Sequence, residues 1–166
     1  MKKLFVTFVI CLMATVSSFA QHNISYYNRY GSSIGSSSTR SNYGGSSTTY
    51  YNQYGGCVGT SNTRSNYGGS YNTNYYNRYG GSTGSATTRS DYSGGYTTNY
   101  YNQYGGSTGS ARTRSNYDGS YTTNYYNQYG GSIGSSTTRS NYGGGTTTIY
   151  YDSYGSSIGS SSSYDW

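Results

Sequence analysis

The chain has 166 residues, among them 26 Gly and 27 Tyr, with no Pro and a formal net charge of +6. Beyond Ala20 there is no Leu, Met, Phe, Lys or Glu, and the only Ile and Val residues are Ile24, Ile34, Val58, Ile133, Ile149 and Ile158. A buried aliphatic side chain stabilises by about 1.5–3 kcal/mol, too little at so few positions to offset backbone ordering at roughly 1–2 kcal/mol per residue, so an aliphatic-core globule is excluded.

The first predicted element is a leader. Met1-Lys2-Lys3 is a positive n-region, Leu4 to Val16 is apolar, and Ser18-Phe19-Ala20 offers small residues for cleavage before Gln21. Residues 1–20 are expected to be a signal peptide, too short for a stable spanning helix, and the mature chain to be secreted or held at the cell surface. With Lys2 and Lys3 in the leader, the remaining cations are Arg, set against Asp91, Asp118, Asp152 and Asp165. That mildly basic balance permits an anionic partner without demanding one. Cys57 is the only Cys beyond the leader, which excludes an intramolecular disulfide.

Residues 21–166 read as one repeat domain. Tyr-Tyr doublets begin at Tyr26, Tyr50, Tyr75, Tyr100, Tyr125 and Tyr150, and the Arg of Thr-Arg-Ser follows in step at Arg40, Arg64, Arg89, Arg114 and Arg139. The copies are 26–49, 50–74, 75–99, 100–124 and 125–149, with a partial one at 150–166. A fixed period of this size marks a stacked array. Gly-Gly pairs such as Gly80-Gly81 and Gly94-Gly95 mark two turns per copy. Between them, Tyr71–Tyr79 and Ser82–Tyr92 are rich in Thr, Tyr and Ser and show no helical period, so both are predicted strands.

Alternate side chains of a strand point to opposite faces. In the first strand Tyr71, Thr73, Tyr75, Asn77 and Tyr79 share a face, and Asn72, Asn74, Tyr76 and Arg78 share the other. In the second, Gly84, Ala86, Thr88, Ser90 and Tyr92 form a small, uniform face, while the opposite face carries Thr87 and Arg89. The aromatic and small faces are expected to interdigitate and the charged faces to meet water. The predicted fold is all-β: a repetitive β-solenoid or stacked β-arch array of units of about 25 residues, with an intrinsically disordered low-complexity chain as the alternative. In-register stacking at about 4.8 Å would turn each repeated Tyr into a ladder. It would also place five Arg in one column of like charge, which needs screening, cation–π contact or an anionic partner.

Catalytic chemistry finds few materials. His22 is the only His and there is no Glu. The Asp residues occupy unrelated registers, and neither paired carboxylates, a Ser-His-Asp set nor zinc or calcium spacings recur. No enzyme, cofactor or metal site is expected. Thr39, Thr63, Thr88, Thr113 and Thr138 are similar to the threonine ranks of ice-binding solenoids, although strand parity turns them inward. Tyr164-Asp165-Trp166 is similar to the aromatic end of outer-membrane barrel proteins, without their lipid-facing aliphatic band.

At the turn, Asn127-Gln128-Tyr129-Gly130-Gly131 resembles the repeat of curli-type secreted amyloid subunits. Tyr27-Asn28-Arg29-Tyr30-Gly31 and Tyr76-Asn77-Arg78-Tyr79-Gly80 are similar to the Tyr-, Gly- and Arg-rich adhesive foot proteins of mussels. Both resemblances imply secreted, material-forming proteins. The expected function is a non-enzymatic structural protein that self-associates into fibre, matrix or adhesive. Assembly would run through Tyr75, Tyr76, Tyr79, Tyr100, Tyr101, Tyr104, Tyr125, Tyr126 and Tyr129, templated by unpaired groups at an open end coil. Arg40, Arg64, Arg89, Arg114 and Arg139 are the candidate anion contacts, with an acidic polysaccharide or surface fitting an exported chain better than nucleic acid. The alternative is a monomeric binding module for a glycan, an anionic surface or ice.

Overall fold

The computed structural model describes residues 22–91, 93–142 and 144–164; the expected signal peptide, Tyr92, Asp165 and Trp166 lie outside the described residues. The strands in chain order are β1 (His22–Asn28), β2 (Ser33–Asn42), β3 (Gly45–Asn52), β4 (Cys57–Asn66), β5 (Ser70–Asn77) and β6 (Ser82–Ser90). They continue as β7 (Tyr96–Asn102), β8 (Ser107–Ser115), β9 (Tyr121–Asn127), β10 (Ser132–Ser140), β11 (Thr146–Asp152) and β12 (Ser157–Tyr164). Each strand pairs antiparallel with its neighbours in sequence, and β1 closes on β12 through pairs such as Ser25–Ser162. The architecture is a closed up-and-down β-barrel in which each repeat supplies one hairpin.

The all-β expectation holds, but the solenoid or β-arch array is corrected to this barrel, and so is the disordered alternative. The reason lies in the turns. A parallel stack needs connections that carry the chain across to a new layer, whereas a loop of two or three residues returns it antiparallel beside itself. In the unit that joins β5 to β6, Gly80 N–H donates to Asn77 O at 3.0 Å and Asn77 N–H donates to Gly81 O at 2.9 Å. Asn77 Oδ1 accepts the N–H groups of Tyr79 and Gly81, each at 2.9 Å. Gly80 sits at φ +81°, a left-handed conformation that only Gly adopts without cost. The result is a three-residue hairpin loop, residues 78–80, in which Asn77 ends the strand and holds the turn with its side chain while Tyr79 belongs to the turn. Equivalent residues of successive units therefore stand two strands and two residues apart, as Tyr75 faces Gly84 and Gly84 faces Asn102 rather than Tyr100, a separation of about 12 Å. Tyr ladders at strand spacing do not form, and closure leaves no open end coil to template addition.

Closure also needs curvature, which each unit provides at the same point. Tyr50 pairs with Gly59 but Tyr51 pairs with Cys57, so Val58 is an extra residue in β4. The same shift leaves Ile34 unpaired in β2, Ile133 in β10 and Ile158 in β12. Such bulges bend a strand and raise its twist. Most of the scarce aliphatic residues thus stand at a bulge, and Ile133 packs against the aromatic core there.

The interior is built from one Tyr and one Gly per unit. Tyr26, Tyr50, Tyr75, Tyr100, Tyr125 and Tyr150 point inward and are 2–9% exposed. Each lies directly opposite a Gly of the following strand, for example Tyr75–Gly84, Tyr100–Gly109 and Tyr125–Gly134. Gly leaves the space that the ring covers, and it is also required by its other neighbour. At Gly84 and Gly109 an added Cβ would come within 2.3 Å of the carbonyl oxygens of Tyr101 and Tyr126 respectively. The ring then reaches diagonally, so that the Tyr125 hydroxyl shares a hydrogen bond with Ser136 Oγ at 2.9 Å and Tyr150 with Ser161 at 2.9 Å. A barrel of eight strands is just filled by ordinary side chains; one of this width needs the reach of a phenol. Each ring buries on the order of 150–250 Å², about 4–6 kcal/mol before entropy costs.

Beside the tyrosines lies a layer of threonines. Thr63 and Thr73 share a hydroxyl hydrogen bond at 2.9 Å, as do Thr88 and Thr98, Thr113 and Thr123, and Thr138 and Thr148. These are directly opposed cross-strand pairs, which stabilise a sheet by roughly 0.2–1 kcal/mol each. The pairs satisfy their own hydroxyls, fully buried at Thr63–Thr73 and partly buried at Thr88–Thr98, Thr113–Thr123 and Thr138–Thr148.

Candidate functional site

The two ends of the barrel are chemically different. At one mouth, each odd strand passes to the next even strand through the Asn-x-Tyr-Gly loop described above, with Asp152 replacing Asn in the last copy. These loops raise Tyr30, Tyr54, Tyr79, Tyr104, Tyr129 and Tyr154 into solvent at 75–92% exposure. Arg29 lies over the Tyr30 ring and Arg78 over the Tyr79 ring, each 4.7 Å from the centroid, a stacking that keeps the cation and the phenol together at the rim.

At the other mouth, Tyr43, Tyr67, Tyr117 and Tyr142 stand fully exposed on the loops that follow even strands. Two of those loops are pinned by carboxylates. Asp91 accepts from Ser93 and from Gly95 N–H, and Asp118 accepts from the Ser120 hydroxyl at 2.6 Å and its N–H at 3.0 Å. The Ser93 and Ser120 hydroxyls are the main reason that both carboxyls titrate below the usual aspartate value.

Just inside this second mouth, Arg40, Arg64, Arg89, Arg114 and Arg139 point outward and are exposed. Each is paired across the following strand with a polar residue that faces the same way: Ser47, Asn72, Thr97, Thr122 and Thr147. Arg112 joins them, because Thr97 lies between Arg89 on one side and Arg112 on the other. At β12 the corresponding register position is Tyr164, so the belt is an arc and not a full ring. The five equivalent Arg stand two strands and two residues apart, since the residue level with Arg40 two strands on is Asn62, and with Arg64 is Thr87. That is about 12 Å, just beyond the Debye length at 0.1 M salt, which relieves the repulsion that an in-register column would suffer. Asp118 approaches Arg139 at 4.0 Å, both well exposed.

The expected assembly residues thus separate into three populations. Tyr75, Tyr100 and Tyr125 are buried in the core. Desolvation raises the Tyr125 hydroxyl to about 12 and pushes Tyr100 well above the ordinary value. Tyr76, Tyr101 and Tyr126 lie half-buried on the outer wall. Tyr79, Tyr104 and Tyr129 belong to the exposed rim. Of the threonines expected to line the inner face, Thr39, Thr63 and Thr88 are buried and Thr113 and Thr138 half-buried. The sequence reading missed the second set of rim tyrosines; Asn66-Tyr67-Gly68 and Asn141-Tyr142-Gly143, with the Asn-Tyr-Gly signal of a short loop, could have found it.

The outward wall carries Ser, Thr, Asn and Arg, for example Ser85, Thr87, Asn99, Arg112 and Arg114, together with the half-buried Tyr76, Tyr101 and Tyr126 and the exposed Ile149. An even number of antiparallel strands closing first on last is also the topology of membrane barrels, but those face lipid with an apolar band. Among the described residues, no helix is long and apolar enough to cross a membrane, and no group of three His, Cys, Asp or Glu is placed to hold a metal. No protein-family model matches the chain, and no curated protein matches it.

Proposed function

We propose that this chain is a secreted, non-enzymatic structural protein whose barrels associate end to end through the tyrosines of their rims. The observation that carries the reading is the set of six equivalent phenol rings held out from one mouth, with a second set at the other. Exposed aromatic clusters mark interaction surfaces, and Tyr is enriched where one side of a residue must be dry and the other wet. The sheet edges are closed, so strand addition is not the route; the ends are what remains. The two mouths differ, so contact between them is heterologous and repeats without closing, which generates a filament. The leader supports export, and the buried waist supplies a rigid unit to stack.

Sedimentation of residues 21–166 over a wide concentration range tests this. Assembly is expected to grow with concentration and to disappear when Tyr79, Tyr104 and Tyr129 are replaced by Ser, with the circular dichroism of the monomer unchanged. A wild-type chain that stays monomeric throughout would overturn self-association and leave the monomeric binding module.

A further inference from the structure

We propose that the arginine belt is a binding site for an acidic polysaccharide, one that carries a single carboxylate or sulfate on every second sugar. The proposal does not rest on self-association, since the belt lies on the wall of one barrel.

The belt is made only of Arg. A guanidinium offers a planar fork that holds a carboxylate or sulfate through two parallel hydrogen bonds. Arg40, Arg64, Arg89 and Arg114 are exposed, and Asp118 meets Arg139 only at the limit of an ion pair. Successive members of the five stand two strands and two residues apart, about 12 Å at the backbone, with a hydroxyl or amide side chain facing outward across from each; Arg112 lies directly across Thr97 from Arg89. The interval between the five is about two sugar rings, the long Arg side chains can close the remaining difference, and the intervening Ser, Asn and Thr can meet the hydroxyls of an uncharged sugar.

Spacing also separates this ligand from nucleic acid. Duplex DNA presents one charge for roughly every 1.7 Å of its axis, several times denser than the belt. A dense polyanion would also be forced against Asp91 and Asp118, which lie on the loops at the same mouth and remain ionised because their loop hydrogen bonds favour the charged form. A sparsely charged chain can pass between them.

Binding to immobilised hyaluronan, which bears one carboxylate per disaccharide, gives the test, with neutral dextran and a single-stranded oligonucleotide as comparison probes. Protein is applied at a concentration where sedimentation shows monomer, so that failure here is separate from failure of the assembly reading. Retention on hyaluronan is expected at low salt and not at high salt. The variant with Gln at Arg40, Arg64, Arg89, Arg114 and Arg139 should lose about tenfold or more in affinity while keeping its melting temperature. Asp118→Asn, which retains the oxygen that accepts from Ser120, should bind more tightly than wild type. Equal retention of the Gln variant, equal retention on dextran, or tighter binding of the oligonucleotide than of hyaluronan would each overturn the proposal.

Discussion

Tyr125 and Tyr129 are the same residue type, four positions apart in one repeat, and they have opposite roles. Tyr125 lies inside the barrel with its ring over Gly134 and its hydroxyl on Ser136. Tyr129 lies on the loop, 87% exposed, with its N–H held by Asn127. The first contributes to folding and the second has little to do with it. Two features make the difference: strand parity, which sends Tyr125 inward, and the turn, which ends the strand at Asn127 before parity can act on Tyr129. A repeat that looks uniformly tyrosine-rich therefore separates core from contact surface within five residues.

Substitution should expose this division most plainly. Tyr125→Ala is expected to destabilise the barrel by about 3–5 kcal/mol, the range for deleting a buried aromatic ring. Tyr129→Ala should move stability by no more than about 0.5 kcal/mol while weakening assembly. Denaturant unfolding of the two variants checks both, and comparable losses would erase the distinction.

The Gly opposite each inward ring offers a sharper cut with a smaller side chain. Gly109 faces Tyr100, stands at φ +153°, and leaves room for no Cβ beside the Tyr126 carbonyl. Gly109→Ala should cost roughly 2–3 kcal/mol through overpacking and backbone strain. Gly105, at φ +81° in open space on the rim loop, should lose only about 1 kcal/mol as Ala. Thermal melting of the pair ranks the two positions.

Alkali extends the contrast to protonation. Burial raises Tyr100, Tyr125 and Tyr150 above the ordinary value of 10.0, Tyr125 to about 12. The folded state therefore holds these protons more firmly than the unfolded chain. The stability so gained is complete below pH 10 and is lost as pH rises toward 12. Denaturant midpoints should be flat up to about pH 10 and then fall steeply. A midpoint that did not change between pH 10 and 12 would show that the inward phenols are solvated.

The sequence made the faces legible, because the two-residue period of a strand is independent of what the strand pairs with. Thr73 and Tyr75 inward, Asn74 and Arg89 outward, and small residues at Gly84, Ala86 and Thr88 all follow from parity alone. The pairing partner was not legible from parity, since a β-arch and a hairpin bury the same face. The deciding information was in Asn77-Arg78-Tyr79-Gly80, where an Asx acceptor and a left-handed Gly make a three-residue loop. Carrying the strand past Asn77 to Tyr79 hid that loop. The repulsion within a column of Arg was a second signal pointing away from an in-register stack, and hairpins answer it by setting the charges two strands apart.

Closure of β1 on β12 is the claim on which the waist, the rims and the belt all depend. It can be tested with Ser25→Cys and Ser162→Cys introduced together in a Cys57→Ser background. These residues are directly paired in the barrel, about 4.5–5.5 Å apart at Cα, within reach of a disulfide; in a stacked array they would sit at opposite ends. Mild oxidation of the dilute double variant should give a monomeric, internally cross-linked chain with unchanged circular dichroism. Recovery of only free thiols or of cross-linked oligomers would contradict the closed barrel.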